Sequence, residues 1–230
     1  DTVLGRIHQG TGEITLYDLS FSREEFLSIQ QVKILACGTS WHAGLAGKFM
    51  MESLARIPVE VDYASEFRYR DPILPDNTLA VVISQSGETA DTLAAQREAN
   101  GKGANTLAIC NVLDSMVTRE AAGTIYTHAG PEIGVASTKA FTSQLVALHL
   151  LALHLAQVRA TLPPETALRY LEDLNHLPRL LEQALKCNGA IQAVAHRFYA
   201  HQNFLYLGRG INYPIALEGA LKLKEISYIH

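Results

Sequence analysis

The sequence predicts an α/β fold, a parallel sheet of five strands covered by helices on both faces. Three observations predict it. Short, wholly apolar runs recur at roughly 20- to 25-residue intervals. Stretches of helical pattern separate them. Glycine or hydroxyl residues follow the runs where strands would end. Runs apolar on both sides belong to strands buried on both faces. Strands alternating with helices imply right-handed crossovers.

Residues 1–31 are a lead-in, with turns at Gly5, Gly10 and Gly12 and the make-up of a short strand at Glu13–Tyr17. Ser22 ahead of Glu24 and Glu25 predicts a short helix. Val32–Cys37 is the first buried strand, Gly38-Thr39-Ser40 a tight turn and Trp41–Leu54 a helix. After Pro58, Val59–Asp62 is the second strand and Ala64–Tyr69 a short helix, ended by Asp71-Pro72. Leu79–Ile83 is the third strand; it leads through Ser84–Thr89 into a helix over Ala90–Asn100, closed by Gly101 and Gly103. Thr106–Cys110, a short helix at Ser115–Ala122 and a fifth strand at Gly123–Thr127 complete the series. The polar, glycine-rich stretch Gly130–Lys139 feeds a helix to about Gln157, so one domain spans 32–160. Past Pro163-Pro164, the amphipathic helices Glu165–Lys186 and Gly189–Tyr199 form a connector over 161–202. The grammar then restarts. Asn203–Leu207 reads as a strand, Gly208-Arg209-Gly210 as a turn, and Pro214 opens a helix running to His230. Residues 203–230 thus read as the first βα unit of a second domain. With no initiator Met and an end inside a helical pattern, the expectation is a piece of a longer polypeptide.

Composition narrows the function. The chain has 230 residues, 48% hydrophobic and 18% charged, enough for a real core in one or two domains. A net charge of -4 without any Lys/Arg block argues against nucleic acid or an anionic membrane as the main partner. Cys37, Cys110 and Cys187 are odd in number and far apart, which disfavours a disulfide framework and points to a reducing cytoplasm. The apolar run Ala140–Ala156 is broken by Thr142, Ser143, Gln144, His149 and His154, so it reads as a buried helix and not a membrane span. His42, His128, His149, His154, His176, His196 and His201 show no ligand spacing; no metal and no cofactor is expected. His149 and His154, on the apolar helix, read as hydrogen-bonded core or interface residues.

The chemistry concentrates in two stretches. Ser84-Gln85-Ser86-Gly87-Glu88-Thr89 joins a strand to a helix start. The first N–H groups of a helix lack partners and its dipole favours an anion there. Ser84, Ser86 and Thr89 add hydroxyls and Gln85 an amide, while the absence of lysine and of a Walker pattern points to one phosphate ester on a small polar molecule. The same residues also suit an ordinary N-cap, Ser86 or Thr89 capping and Glu88 serving the dipole. The Ser40 turn also lies at a strand's carboxyl end, where α/β sheets bind ligands. The Gly130–Lys139 loop suits either a ligand cover or a plain connection capped by Ser137 or Thr138. In the last helix, Glu218, Lys222 and Glu225 stand at i, i+4 and i+7, on one face. Ile215, Leu217, Leu221, Leu223 and Ile226 surround them, so the helix is expected to be largely buried and the charges to form a proton-transfer device. A solvated face with Glu–Lys pairs is the other reading. Lys224 reads as a surface lysine.

Four blocks now carry a resemblance: Cys37–Ser40, Ser84–Thr92, Glu132–Thr142 and Ala216–Tyr228. In this order they resemble the sugar-isomerase (SIS) half of the isomerising glutamine:fructose-6-phosphate aminotransferases, over about Val32 to His230. The resemblance implies flavodoxin-like αβα sandwiches, the first whole and the second cut after one strand and helix. It implies that Ser84, Gln85, Ser86 and Thr89 bind the phosphate of fructose 6-phosphate, with Thr39, Ser40 and the Val135 loop at the sugar. It implies that Glu225 moves the proton between C1 and C2 during ketose-to-aldose isomerisation, with Lys222 and Glu218 as polar partners, toward glucosamine 6-phosphate. It further implies a homodimer and a glutaminase domain in the full-length chain. A ring-opening histidine and a tail lysine of the family have no counterpart in this sequence. A sugar-phosphate-sensing SIS module and a fructosamine-phosphate deglycase are the alternatives.

Overall fold

The structure, a computed structural model, describes residues 1–8 and 10–229. His230 lies outside the described residues. Gln31–Ala36 (β1), Val59–Tyr63 (β2), Thr78–Ser84 (β3), Asn105–Cys110 (β4) and Gly123–Tyr126 (β5) form one sheet in the order β2-β1-β3-β4-β5. Every neighbouring pair is parallel, with Ile34 opposite Val61 on one side and Val81 on the other. The five-stranded parallel sheet is the one the apolar runs predict.

Side-chain alternation decides which helices cover which face. Val32, Ile34, Leu79, Val81, Ile83, Leu107 and Ile109 point to one side. There they meet the helices Arg23–Ser28 (α1), Gly38–Leu54 (α2) and Lys139–Val158 (α6), and beyond α6 the helix Pro164–Leu185 (α7). The smaller Ala80, Val82 and Ala108, with Leu35, point to the other side, against Ala64–Phe67 (α3), Ala90–Gly101 (α4) and Met116–Arg119 (α5). The result is a three-layer αβα sandwich. The bulkier face carries the larger helices because long side chains leave more apolar area to cover. Gly44 and Gly47 let α2 press close: a Cβ would stand 2.8 Å from Ile34 at the first and 2.8 Å from Leu148 at the second. α6 is long and apolar enough to cross a bilayer, yet its Leu148, Leu150, Leu151 and Leu153 are in the core beneath the sheet. His154 donates from Nδ1 to the Ile14 carbonyl at 3.1 Å and His149 packs edge-on against Tyr170. Burial lowers the pKa of both.

Several local expectations are corrected. Glu13–Tyr17 forms no strand: Ile14 makes one isolated antiparallel bridge to Ile7. Gly38-Thr39-Ser40 is the first turn of α2 and not a separate turn, because Gly38 at φ +54 redirects the chain straight into the helix. Asn203–Leu207 is irregular, since no described segment runs alongside to share a ladder; Leu205 and Leu207 are exposed. The short helix expected after Ser22 is present, opened by a capping box in which Ser22 Oγ accepts from Glu25 N and Glu25 accepts from Ser22 N. After α7 come Asn188–Phe198 (α8), with no buried residue, and Asn212–Ser227 (α9). α9 stops at Ser227, with Tyr228 left-handed at φ +59, instead of continuing. It is also less buried than the pattern predicts. Only Pro214 and Glu218 are buried, because among the described elements α9 packs mainly on α2, with the Tyr206 ring close to Gly219, and much of its remaining surface is open.

Candidate active site

The order β2-β1-β3-β4-β5 reverses direction between β1 and β3. Two adjacent strands there send their chains opposite ways, and a crevice opens at their carboxyl ends. β1 ends into Gly38-Thr39-Ser40 and β3 ends into Ser84–Thr89, so both predicted stretches reach this crevice.

In the loop after β3, Gly87 has φ +69, and a Cβ there would lie 1.9 Å from Ser115 Oγ and 2.9 Å from Cys110 Sγ. Only glycine fits this turn. Gly87 N–H donates to the buried Ser84 Oγ at 3.0 Å, and Glu88 N–H donates to Ser86 Oγ at 3.2 Å. Ser84 and Thr89 hydroxyls lie 3.3 Å apart. Thr89 occupies the N-cap position of α4 without capping, and among the described residues no side chain takes up the first-turn donors of that helix. This overturns the plain N-cap reading. Glu88 does not serve the α4 dipole either: its Oε1 accepts from Met116 N at 2.9 Å, at the start of α5. Gln85 accepts through its backbone carbonyl from Asn111 N at 3.3 Å. Beneath the loop, burial raises the Cys110 thiol pKa, so the floor is neutral.

Ser40 belongs to the same pattern. The Nε2 of Gln144, a buried residue of α6, donates to Ser40 Oγ at 2.9 Å. A hydroxyl that accepts from an N–H keeps its own proton to give. Ser40 and Ser86 therefore each have an acceptor lone pair occupied and a donor available, and the Ser84–Thr89 pair, sharing one bond, keeps one hydroxyl proton to give. Ser84 and Ser86 at the uncapped start of α4, with Ser40 at the end of the neighbouring strand β1, favour a ligand that only accepts, as a phosphate does. Gln144 carried no signal in the sequence beyond interrupting an apolar run. Its Oε1 is buried without a partner among the described residues, as is Trp41 Nε1. Trp41 stacks on Tyr63 with ring centroids 4.1 Å apart, and burial, then nearby Tyr213 and Cys37, raise the Tyr63 pKa.

The second cluster joins α2 to α9. Glu218 Oε1 accepts from Thr39 Oγ1 at 2.9 Å, and its Oε2 lies 2.7 Å from His42 Nδ1. Lys222 Nζ lies 3.0 Å from Thr39 Oγ1, 3.3 Å from Glu218 Oε1 and 2.5 Å from Glu225 Oε2. Lysine only donates, so Thr39 accepts from Lys222 and passes its own proton to Glu218. The Glu218 side chain is 8% exposed and that of Glu225 29%. One carboxylate is thus structural in setting, and the other stands open beside an ammonium. The solvated-face reading of this helix fails for Glu218 and Lys222. His42, set aside by its spacing in the sequence, is in the cluster. Only its i, i+3 relation to Thr39 could have hinted at that. Lys224 is exposed as expected.

Val135 lies apart. It is 93% exposed on the loop before α6 and joins none of these hydrogen bonds. Neither Ser137 nor Thr138 caps α6. Instead Glu132 accepts from Thr138 N at 3.3 Å and Ala140 N at 2.9 Å. Burial opposes ionisation of Glu132, but these bonds and Lys139 lower its pKa on balance.

The family model described as the SIS domain matches residues 25–154, more than half of the chain and the span of the whole sheet. The chain belongs to the SIS-domain family. Its SIS sheet and the helices that follow are 51% identical over 230 residues to a glutamine–fructose-6-phosphate aminotransferase [isomerizing] of Methanosarcina acetivorans, covering 100% of this chain and 37% of that protein. A protein of the same name from Clostridium acetobutylicum is 53% identical over 230 residues, again covering 100% of this chain and 38% of that protein. The chain therefore spans well under half the length of these relatives. Among solved structures, the C-terminal domain of glucosamine-fructose-6-phosphate aminotransferase from Francisella tularensis superposes with a TM-score of 0.95 at 45% identity, over 100% of this chain and 64% of that one.

Proposed function

We propose that this SIS-family chain is the sugar-phosphate isomerase part of an isomerising glutamine–fructose-6-phosphate aminotransferase, binding fructose 6-phosphate and carrying the aminated ketose to glucosamine 6-phosphate. The observation that carries the reading is the donor bias of Ser86 and the Ser84–Thr89 pair at the start of α4, with Ser40 at the end of neighbouring β1, in a chain that also holds an open Glu225–Lys222 pair. The hydroxyls and the free helix N–H groups hold the phosphate, with Gln85 and Thr89 at its edge. Thr39 is shared ground: it neighbours Ser40 in sequence and bonds Glu218 and Lys222. A phosphate bound at the α4 start brings the sugar carbons toward that side.

Isomerisation moves a proton between adjacent carbons, one of them a carbonyl or imine carbon. The base must be ionised, positioned and solvent-poor enough to act. Glu225 is the carboxylate with an open side, and it takes the proton from C1 or C2 and returns it to the other. Lys222 holds the charge developing on the neighbouring oxygen. Glu218, closed in by three partners, keeps Lys222 in place. The Val135 loop covers the sugar. Names and identities of the relatives support this reading, as does their greater length, which accommodates a glutaminase domain supplying ammonia. A cytoplasmic homodimer is part of the same proposal.

Calorimetry of the intact protein tests it. Fructose 6-phosphate and glucosamine 6-phosphate should bind saturably, and fructose should not. Glu225→Gln should abolish isomerisation while sugar-phosphate binding persists. Wild-type turnover in that variant, or failure of wild type to bind either phosphate, would sink the assignment.

A further inference from the structure

His42 follows Thr39 by one turn of α2, so the two side chains leave the helix on one face. They meet the same carboxylate. Glu218 is buried, and a buried carboxylate needs partners on both oxygens. Oε1 has two, the Thr39 hydroxyl and Lys222. Oε2 has one among the described residues, the His42 ring at 2.7 Å.

We propose that His42 is the positioning residue of this cluster: its Nδ1–H pins Glu218 Oε2 and thereby places Lys222 against Glu225. The torsion that turns a carboxylate is soft. Held by Oε1 alone, the group can swing about its own bond and carry its lone pairs away from Lys222. Held at both oxygens, it presents one Oε1 lone pair to Thr39 and the other to Lys222. Lys222 then divides its three protons among Thr39, Glu218 and Glu225. Without the ring, Lys222 keeps only Glu225 as a firm carboxylate partner. The ammonium is then tethered from one side only, and Glu225, 2.5 Å away, loses its fixed place with it. The ring itself packs edge-on against Trp41 at 5.5 Å, and on another side it borders a cavity lined by Tyr206, Leu217 and Leu221.

This role rests on the reading of Glu225 as the proton carrier, and the experiment separates the two. In the intact protein, His42→Leu keeps volume without a donor, and His42→Asn restores an N–H near the place of Nδ1. His42→Leu should lower kcat about 10- to 100-fold, the size typical for a group that orients a catalytic ligand, while KM for fructose 6-phosphate stays within about two-fold. His42→Asn should recover most of that loss. A His42→Leu enzyme with wild-type kcat, a loss confined to KM, or an Asn variant no better than Leu overturns the proposal. Nitrogen-15-edited spectra give an answer that does not depend on turnover. Nδ1 should carry a slowly exchanging proton in wild type, and that proton should exchange freely in Glu218→Leu. If wild type shows no such proton, His42 does not hold Glu218, whatever the activity; if the proton is there and no form of the protein isomerises, the functional reading fails and the positioning contact stands.

Discussion

The loop after β3 and the cluster on α9 are built on opposite principles. Ser84–Thr89 is one contiguous turn whose hydroxyls are oriented by N–H groups two and three residues away. Its rigidity comes from backbone conformation and from the packing of Gly87 on Ser115 and Cys110. The Glu218 cluster instead joins residues 179 apart, Thr39 and Glu218, across the packed helices α2 and α9. The first site fails when its backbone is disturbed. The second fails when two elements separate. Thr39 and Ser40, neighbours in the first turn of α2, are where the two designs meet.

The sharpest way to break the comparison is Gly87→Ala. Left-handed strain and overlap with Ser115 should together remove about 2–5 kcal/mol. Sugar-phosphate affinity should vanish with it, read by denaturant melts and calorimetry, while the His42–Glu218 contact survives. Next comes Glu218→Leu, which leaves Lys222 and His42 without their common acceptor. It should weaken docking of α9 by about 2–4 kcal/mol, seen as faster amide exchange in α9 with the sheet unaffected. Equal loss in sheet and α9 would mean that the two regions are one cooperative unit. Smaller is Ser84→Ala, which strips the acceptor from Gly87 N–H and a partner from Thr89. About 1–2 kcal/mol and a roughly tenfold loss of phosphate binding are expected, with no change in α9 exchange.

The smallest effect is acid sensitivity of the sheet unit through α6. His149 and His154 have folded pKa values depressed by burial, so the unfolded chain binds protons first. The stability from keeping them neutral is complete above their unfolded pKa of about 6.5. It declines as pH falls below that value toward the lower folded pKa. Replacing His149 by Phe should flatten the slope below about pH 6.5 in urea melts. An unchanged slope would show that burial of this ring does not govern its titration.

Much of the architecture was legible in the chain. The five strands, the helices between them and the crevice-facing turns follow from short-range periodicity. Apolar runs covered on both faces allow few arrangements other than a parallel sheet. The hydroxyl loop was legible for the same reason, since its geometry is local. Glu218, Lys222 and Glu225 shared a face because helical spacing demands it. Errors arose where a local pattern met no partner. Asn203–Leu207 has strand composition but no strand beside it, and α9 has an apolar girth left mostly uncovered.

Other features were out of reach of any local rule. That Thr89 does not cap α4, that Glu132 caps α6, and that Gln144 reaches Ser40 across 104 positions depend on where side chains from separate elements arrive. So does the place of His42 beside Glu218. The sequence by itself determined the sheet, the hydroxyl-rich loop and the face that carries the carboxylates, because each is set by contacts within a turn or a strand. Only the tertiary structure decided which carboxylate is closed in and which stays open, because burial and hydrogen-bond polarity there come from two helices that meet only when the chain has folded.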